Sequence, residues 1–421
     1  MVRAPFLFRT ALHYFPMKMT RRLFVVFLLI APVVLSVAAE SAEKPAASKK
    51  YLVLVGTYTT KTESKGIYAY EFDADTGKLT PKGVAVETAD PSWVAVHPNG
   101  KYTYAANEAG KASTVSAFSL DAKNGKLTLL NQMPTLGEDP CYISFDEKGR
   151  YVLVANYTSG NVVLFPILGD GRLGQQTAVI KDFGTPGPNK ERQEGPHAHW
   201  IEPSPNNRFL LVADLGLDEI LTYAFDPANG MFSGLDATFV KGQWPAVGDP
   251  APPHVNLKPG SGPRHAAFHP NGKFLFVVSE LSSVVTTLRY DAHAGALKEL
   301  QSVPMLPNDF SGRNDAAEIA VHPNGKLLYA SNRGHDSIAV FAIDEARGTL
   351  TFVARVPTGG KEPRHFAIDP TGKYLLAENQ FSNNIVVFKI DLATGGLTPT
   401  GQVVDVPSPV DLTFVPATVA R

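Results

Sequence analysis

Short runs of alternating apolar and polar residues follow one another along most of the chain, with turn-forming residues between them. The clearest run covers residues 263–280, where an alternating segment leads into Pro-Asn-Gly-Lys and a second apolar segment follows. This order predicts a strand, a tight turn and an antiparallel return strand. Close copies of the segment recur along the chain, so we expect a fold built from repeated β units.

The repeats can be counted from a basic residue at the turn, which follows Gly or Asn in six copies spaced 47 to 65 residues apart. The six residues are Lys101, Arg150, Arg208, Lys273, Lys326 and Lys373. Five copies open at a proline, Ala316 stands at that place in the remaining copy, and each copy continues through four predicted strands. Four antiparallel strands in a repeat of this length are typical of one blade of a β-propeller.

A seventh copy is divided between the two ends of the repeat region. Residues 51–57 match a second strand that lacks a first, and residues 409–416 match a first strand that lacks a second. Pairing the two closes the ring and leaves no open sheet edge. A parallel β-helix has shorter repeats and gives no reason for a copy split between the ends. The sequence therefore predicts an all-β, seven-bladed β-propeller over residues 51–417, with its first blade closed by strands from both termini.

The amino-terminal residues have the pattern of a signal peptide rather than of a folded element. A basic segment at residues 17–22 precedes an apolar run at 23–35 and small residues at 37–39, and Met17 and Met19 are alternative start positions. The apolar run is shorter than the roughly 20 residues that a membrane-spanning helix needs. We therefore expect a signal peptide at 1–39 and a polar tether at 40–50. The mature protein is expected to be periplasmic or secreted, without stable membrane association after cleavage.

Composition excludes several classes of function. The net charge is −1 and the charges are interspersed, so no basic stripe is present for nucleic acid. Cys141 is the only cysteine, which excludes an internal disulfide and any CxxC metal or redox motif. Neither a reactive cysteine pattern nor a GxSxG motif offers a covalent nucleophile.

Comparing the copies separates scaffold positions from candidate site positions. Each first and second strand form a hairpin, so the start of the first lies beside the end of the second, at one mouth of the central channel. An asparagine recurs at the second-strand exit, and His97, His269 and His322 recur before the turn. Residues that repeat in this way are interpreted as scaffold.

The candidates for function are residues that differ from those at the equivalent positions of the other copies. They are His197, Arg264, Glu280, Arg333 and Arg364. Arginines crowded at one mouth require an anionic partner, and the carboxylates expected nearby are Glu280, Glu108 and Glu318. Two interpretations remain open at this point. The charges form a ring of salt bridges that closes the channel, or they line a polar pocket for an oxygen-rich, acidic small molecule.

A metal centre is disfavoured. His197 and His199 could offer two imidazoles on one strand face, but only Asp214 and Asp218 lie nearby, and neither has the spacing of a third ligand. We expect no metal and no other cofactor.

Acid–base chemistry without a cofactor remains. Glu280 or His197 could take a proton from water, while Arg264 and Arg333 could stabilise the oxyanion formed at an ester carbonyl.

Several segments resemble the seven-bladed propeller lactonases, the family that includes propeller-type 6-phosphogluconolactonase and fungal muconate-lactonizing enzyme. The resemblance covers residues 51–417. Its most specific segments are residues 55–59, 195–199, 262–265 with Glu280, 331–337 and 377–380, although Glu378 stands where Ala or Val is usual.

The resemblance implies a lactone hydrolase that needs no cofactor and acts on a small-molecule lactone. It implies the catalytic residues His197, Arg264, Glu280 and Arg333. Residues expected to bind substrate around them are His199, His265, His335, Arg364 and Gln380.

Two features depart from an intracellular 6-phosphogluconolactonase. Export favours an unphosphorylated sugar lactone, and the Pro-rich segment 245–259 is expected to form a lid over the pocket. The alternative function is a non-catalytic secreted propeller that binds a partner or a wall polymer on its face.

Overall fold

The computed structural model describes residues 49–233 and 254–416. The first of these ranges forms β1 (Lys50–Thr57), β2 (Gly66–Asp73), β3 (Lys78–Glu87), β4 (Pro91–Val96), β5 (Tyr102–Asn107), β6 (Thr114–Asp121), β7 (Lys126–Pro134), β8 (Pro140–Phe145), β9 (Tyr151–Asn156), β10 (Asn161–Pro166), β11 (Ala178–Lys181), β12 (Ala198–Pro203), β13 (Phe209–Asp214), β14 (Glu219–Asp226) and β15 (Met231–Ser233).

The second range forms β16 (His254–Asn256), β17 (Pro263–Phe268), β18 (Phe274–Ser279), β19 (Val284–Tyr290), β20 (Leu297–Pro304), β21 (Asp315–Val321), β22 (Leu327–Arg333), β23 (Ser337–Ile343), β24 (Leu350–Pro357), β25 (Pro363–Ile368), β26 (Tyr374–Asn379), β27 (Asn384–Ile390), β28 (Leu397–Asp405) and β29 (Pro409–Phe414). Two 3-10 turns, Gly110–Ala112 and Gln380–Ser382, are the helical elements of the described residues. Neither is long and apolar enough to cross a membrane.

The strands form seven antiparallel sheets, which are the blades. Blade 1 is β29-β1-β2-β3, and the six others are β4 to β7, β8 to β11, β12 to β15, β17 to β20, β21 to β24 and β25 to β28. The first strands of successive blades lie next to one another around the ring. The predicted seven-bladed propeller is confirmed.

Strands from the two ends of the described chain close blade 1. β29 pairs antiparallel with β1, from Val53 opposite Phe414 to Thr57 opposite Pro409. Leu412 of β29 is buried in a core that contains Val53 of the same blade and Leu376 of blade 7. The closure predicted from the divided copy is therefore present, and one strand joins two blades.

The second strand of each blade is covered on both faces because the blades stack face to face. All six residues of β9, β13, β18 and β26 are buried. This explains why the second segment of each copy is a continuous apolar run, whereas the outer strands alternate.

The recurring histidines connect one blade to the next. His97 Nε2 donates to the carbonyl of Gly149 at 2.7 Å, and its Nδ1 accepts the backbone N–H of Asn99. His269 and His322 repeat this pair of bonds: Nε2 binds a glycine carbonyl of the following blade, and Nδ1 accepts a backbone N–H of the histidine's own turn. These residues are therefore scaffold, as the repeat comparison indicated.

A bulge at the start of the first strand places one extra residue at the channel mouth in five blades. In β17, Pro263 lies opposite Ser279 and His265 lies opposite Val278, which leaves Arg264 as the extra residue. The corresponding extra residues of the other four blades are Ser92, Cys141, His199 and Arg364.

This register corrects the sequence alignment of blade 4. Ala198, rather than Pro196, lies opposite the last residue of its second strand, Asp214. His199 is therefore the residue equivalent to Arg264, a position that the sequence comparison assigned to His197. The error arose because a long connection enters β12, so that the strand begins two residues after the proline.

Two predicted segments lie wholly or largely outside the described residues. These are the signal peptide with most of its tether, and residues 245–253 of the expected lid. The described remainder of that segment contains β16, which pairs with β14 at the side of blade 4.

Closure by β29 generates a stability prediction. Leu412→Ala should lower the free energy of unfolding by about 2–5 kcal/mol, because it leaves a cavity where blades 1 and 7 meet. Leu392→Ala is the control, since Leu392 is 53% exposed and a surface truncation should change stability by less than about 0.5 kcal/mol. Equal midpoints for the two variants in chemical denaturation would contradict the closure argument.

Candidate functional site

The bulge in β17 and the exit of β18 bring Arg264 and Glu280 together. Glu280 follows the last residue of β18, and its N–H donates to the carbonyl of Gly262 at 2.7 Å. Arg264 Nε lies 3.0 Å from Glu280 Oε2. Both residues are buried, at 2% and 4% exposure. The hairpin thus joins a cation and an anion that are 16 positions apart in the sequence.

Two further arginines converge on the same carboxylate. Arg333, at the end of β22, places Nη2 2.9 Å from Glu280 Oε2 and donates from Nε to the carbonyl of Asp315. Arg192, from the connection before β12, donates from Nη2 to Glu280 Oε1 at 2.5 Å. We call Arg192, Arg264, Glu280 and Arg333 the Glu280 cluster.

The Glu280 cluster carries more positive than negative charge. Burial by itself would raise the pKa of Glu280, but Arg333 and Arg264, together with His199 and Arg192, hold that pKa well below its usual range. Burial and the positive charges of Arg333 and Arg364 lower the pKa of Arg264 to about 10. The carboxylate is therefore ionised near neutrality, and the surplus positive charge favours a ligand that is anionic or develops negative charge.

Three buried nitrogen atoms at this mouth have no hydrogen-bond partner among the described residues. They are Arg264 Nε, Arg333 Nη2 and His197 Nε2. The two arginine nitrogens approach Glu280 Oε2 at ion-pair distance but without hydrogen-bond alignment. Buried polar atoms are normally paired, so the two arginine nitrogens keep hydrogen-bonding capacity that Glu280 does not use.

His197 lies beside this cluster, one residue before β12. Its ring stacks on Tyr157 with centroids 4.6 Å apart, and its Nδ1 lies 3.0 Å from the backbone carbonyl of Tyr157. A carbonyl only accepts, so Nδ1 carries a proton. Nε2 lies 3.2 Å from a carboxylate oxygen of the largely exposed Glu194. His197 thus has one ring nitrogen anchored to the backbone and the other beside a carboxylate that borders solvent.

The two carboxylates that the sequence offered as further metal ligands are engaged with the backbone. Asp214 accepts the N–H groups of His197 and Leu217, and Asp218 accepts those of Gly260 and Gly262. In the described residues, no group of three or more His, Cys, Asp or Glu side chains is arranged to hold a metal ion.

His199 is the extra residue of the bulge in blade 4, and it faces the channel. Its Nδ1 lies 3.5 Å from Cys141 Sγ, and its ring packs edge-on against Tyr157 and His265. Burial, with the charge of Arg264, lowers the pKa of His199 well below its usual range. The imidazole is therefore neutral near pH 7.

His265 belongs to a layer of side chains that fills the channel beneath the Glu280 cluster. Trp93 contacts both His265 and His365, with ring centroids 5.3 and 5.4 Å apart, and Tyr142 contacts His265 at 5.0 Å. Because Trp93 reaches blades 5 and 7 from blade 2, these contacts cross the channel. We call this set the channel layer; with its carboxylates it comprises Trp93, Tyr142, His265, Glu318, His365 and Asp411.

Carboxyl groups complete the channel layer. His265 Nδ1 lies 2.8 Å from Glu318 Oε2, and His365 Nε2 lies 3.7 Å from Asp411 Oδ1. Burial raises the pKa of Glu318 and of Asp411 to about 7. Burial also raises the pKa of Glu378, whose Oε1 lies 3.1 Å from His365 Nδ1.

A funnel of about 710 Å³ opens on the far side of the channel layer. Its wall includes Phe145, Ile368 and Phe414, from the ends of first strands opposite to the Glu280 cluster. The channel layer therefore lies between this funnel and the Glu280 cluster.

The remaining predicted substrate-binding residues have other partners. His335 bonds Ser337 through Nδ1 and packs on Phe310. The backbone N–H of Gln380 donates to the carbonyl of Glu362.

Arg364 is placed beside a separate cavity. Its guanidinium lies over the ring of Tyr58 at 5.3 Å, and the hydroxyl of Tyr58 donates to Glu108. Tyr58 and Glu108 line a cavity of about 470 Å³.

Sequence reasoning missed Arg192 and Tyr157. Tyr157 follows the recurring Asn156 at the position that Glu280 and Arg333 occupy in their blades. The difference between Tyr157 and the residues at equivalent positions of other blades could therefore have identified it. Arg192 lies in a connection that has no counterpart in the other blades, so the repeat comparison could not reveal it.

The chain belongs to the family described as Lactonase, 7-bladed beta-propeller, whose model matches residues 52–414. It is 38% identical over 317 residues to a 6-phosphogluconolactonase of Bacillus subtilis (strain 168), an alignment that covers 75% of this chain and 84% of the relative. The resemblance inferred from the motifs is confirmed.

Solved structures agree with this assignment. A Bacteroides fragilis protein provisionally described as a 6-phosphogluconolactonase superposes with a TM-score of 0.80 at 38% identity, over 89% of this chain and 100% of that chain. The periplasmic gluconolactonase of Pseudomonas aeruginosa superposes with a TM-score of 0.79 at 34% identity, over 87% and 99%.

The raised carboxyl pKa in the channel layer predicts a pH-dependent stability. Asp411 stays protonated in the folded protein up to a pKa of about 7, whereas its unfolded pKa is about 3.9. Stability from this group is therefore lost as pH rises from about 4 to 7, by at most about 1.4 kcal/mol per pH unit.

Asp411→Asn should remove this dependence, because an amide oxygen can still accept the N–H of Val94. Chemical denaturation of both proteins between pH 4.5 and 7 measures the effect. Asp405→Asn, at an exposed position of β28, is the control. A stability difference between wild type and Asp411→Asn that does not change with pH would contradict a protonated carboxyl.

Proposed function

We propose that the protein is a lactone hydrolase whose site is the Glu280 cluster together with His197. One observation carries the proposal, namely the buried arginine nitrogens that face the channel mouth without hydrogen-bond partners beside an ionised carboxylate. Membership of the lactonase family supports it. Such an arrangement offers donors for a developing oxyanion and a base for water.

The chemistry requires only these side chains. Glu280 takes a proton from water as the water oxygen forms a bond to the lactone carbonyl carbon. Arg264 and Arg333 stabilise the negative charge that moves onto the carbonyl oxygen. The bond between the carbonyl carbon and the ring oxygen then breaks, and the ring oxygen receives the proton from Glu280, which leaves an open hydroxy acid.

His197 is the alternative base. Its ring is fixed by Tyr157, which engages Nδ1, so Nε2 is the nitrogen that would take the proton from water. Glu280 is preferred because it contacts both arginines that would hold the oxyanion. Substitution of each residue separately distinguishes the two assignments.

We propose an unphosphorylated sugar lactone as the substrate, met outside the cytoplasm. The signal-peptide pattern at residues 1–39 supports export. The similarity to a Pseudomonas aeruginosa protein named as a periplasmic gluconolactonase supports the substrate class.

The activity is tested by pH-stat titration of a panel of aldonolactones against their spontaneous hydrolysis. We expect wild-type protein to open at least one unphosphorylated lactone well above the spontaneous rate. A rate equal to the spontaneous one across the panel, together with retention on wall material, would identify a binding module instead.

Glu280→Asp should lower kcat by about 100-fold or more, because it keeps the charge but displaces the carboxylate. His197→Gln should lower it less if Glu280 is the base. Glu345→Asp is the control, at an exposed turn position. Glu280→Gln is less informative, since uncompensated buried arginines should cost about 3–5 kcal/mol of stability. A kcat for Glu280→Asp equal to that of wild type would exclude Glu280 as the base.

A further inference from the structure

The two oxygens of Glu280 have different environments. Oε2 faces Arg264 and Arg333, whose side chains are 2% and 10% exposed. Oε1 receives its hydrogen bond from Arg192, whose side chain is 32% exposed. One oxygen is thus enclosed by fixed cations, and the other is covered by a cation that borders solvent.

Arg192 can move without its backbone. The next residue, Gln193, is fully buried and donates from Nε2 to the carbonyl of Leu215 at 2.9 Å and to Asp218 at 2.8 Å. The backbone N–H of Gln193 also donates to the carbonyl of Asn189. The connection is therefore anchored, while the Arg192 guanidinium has solvent on one side.

This position conflicts with Glu280 as a base in the substrate-free protein. Oε1 already accepts a hydrogen bond from Arg192, and four positively charged or imidazole groups stabilise the ionised carboxylate. A carboxylate held so strongly in its ionised form has little tendency to accept a proton from water. Catalysis through Glu280 requires at least one of these cations to leave, and Arg192 is the one with access to solvent.

We propose that Arg192 is a positioning residue for lactone opening: it covers Glu280 Oε1 in the free protein and turns to an oxygen of the bound lactone. The proposal rests on the proposed function. The departure of Arg192 frees Oε1 for water and makes Glu280 more basic only when substrate is present. The same movement adds a third donor for the lactone oxygens. The proton path is unchanged, since the proton taken from water by Glu280 still passes to the ring oxygen.

The charged and titratable groups that face these two residues come from several elements. Those around Glu280 are Arg264, Arg333, His199, Arg192, Arg364, Tyr157 and Cys141. Those around Arg192 are Glu280, Tyr157, Asp315 and Glu194. Of these partners, Asp315 also pairs with Arg313, whose side chain is 86% exposed. Arg313 is therefore a matched control, with the same charge and the same carboxylate neighbour but without a contact to Glu280 in the described structure.

The first test compares the pH dependence of turnover in wild type, Arg192→Gln, Arg192→Lys and Arg313→Gln. In Arg192→Gln, kcat/KM at neutral pH should fall by about 100-fold, because a donor to the lactone is lost. The acid limb of the plot of kcat/KM against pH, which reports Glu280 in the free protein, should move to higher pH by about 1–3 units. The acid limb of kcat should not move, because in the complex Arg192 has already left Glu280. Arg192→Lys should restore part of the loss, and Arg313→Gln should match wild type.

The second test does not depend on turnover. D-glucono-δ-lactam is a neutral, hydrolysis-resistant relative of a sugar lactone, and carbon-13 NMR of labelled glutamate carboxyls reports the pKa of Glu280. Binding of the lactam should raise that pKa by about 1–3 units in wild type. It should cause no further rise in Arg192→Gln.

The outcomes separate the two proposals. If the protein opens lactones but the pH profile of kcat/KM is the same in Arg192→Gln as in wild type, the role of Arg192 is overturned and the proposed hydrolase function stands. An equal lactam-induced pKa change in both proteins also overturns that role. If lactam raises the pKa of Glu280 in wild type but not in Arg192→Gln, and no lactone is opened, displacement of Arg192 by a ligand is supported and the proposed hydrolase function is overturned. Absence of both turnover and lactam binding overturns both.

Discussion

The pairing of β29 with β1 is the constraint on which the rest of the structure depends. A propeller blade buries its faces against neighbouring blades, so the ring must close for every blade to be covered on both faces. Here a strand from the far end of the chain completes the closure and joins blades 1 and 7 through Leu412. Closure also determines how the first strands meet around the axis, and hence which side chains face one another at the channel mouth.

On this nearly symmetric frame, the Glu280 cluster arises where equivalent positions hold unlike residues. The bulge that opens the first strand carries Ser92 in blade 2, Cys141 in blade 3 and Arg264 in blade 5. The exit of the second strand carries Glu280 in blade 5 and Arg333 in blade 6. The backbone geometry is repeated, so the chemistry is set by side chains alone. A carboxylate and its arginines can thus be assembled from adjacent blades without distorting either.

The fold and part of the site could be predicted from the sequence because both follow the repeat. Arg264, Glu280 and Arg333 differ from the residues at equivalent positions of other blades. The structure brings these three side chains into contact. Prediction failed where the repeat is interrupted. The connection before β12 shifted the alignment of His197, and Arg192 lies in that connection. The raised pKa of Asp411 depends on burial at the channel, which no local sequence pattern reports.

The channel layer has a consequence for traffic through the molecule. Contacts of Trp93 with His265 and His365 span the axis, so side chains, rather than an open pore, occupy the centre of the ring. The Glu280 cluster and the funnel therefore lie on opposite sides of a closed partition. Under the proposed function, a lactone reaches Glu280 and its product leaves on the same side of that partition. The funnel lies outside that route.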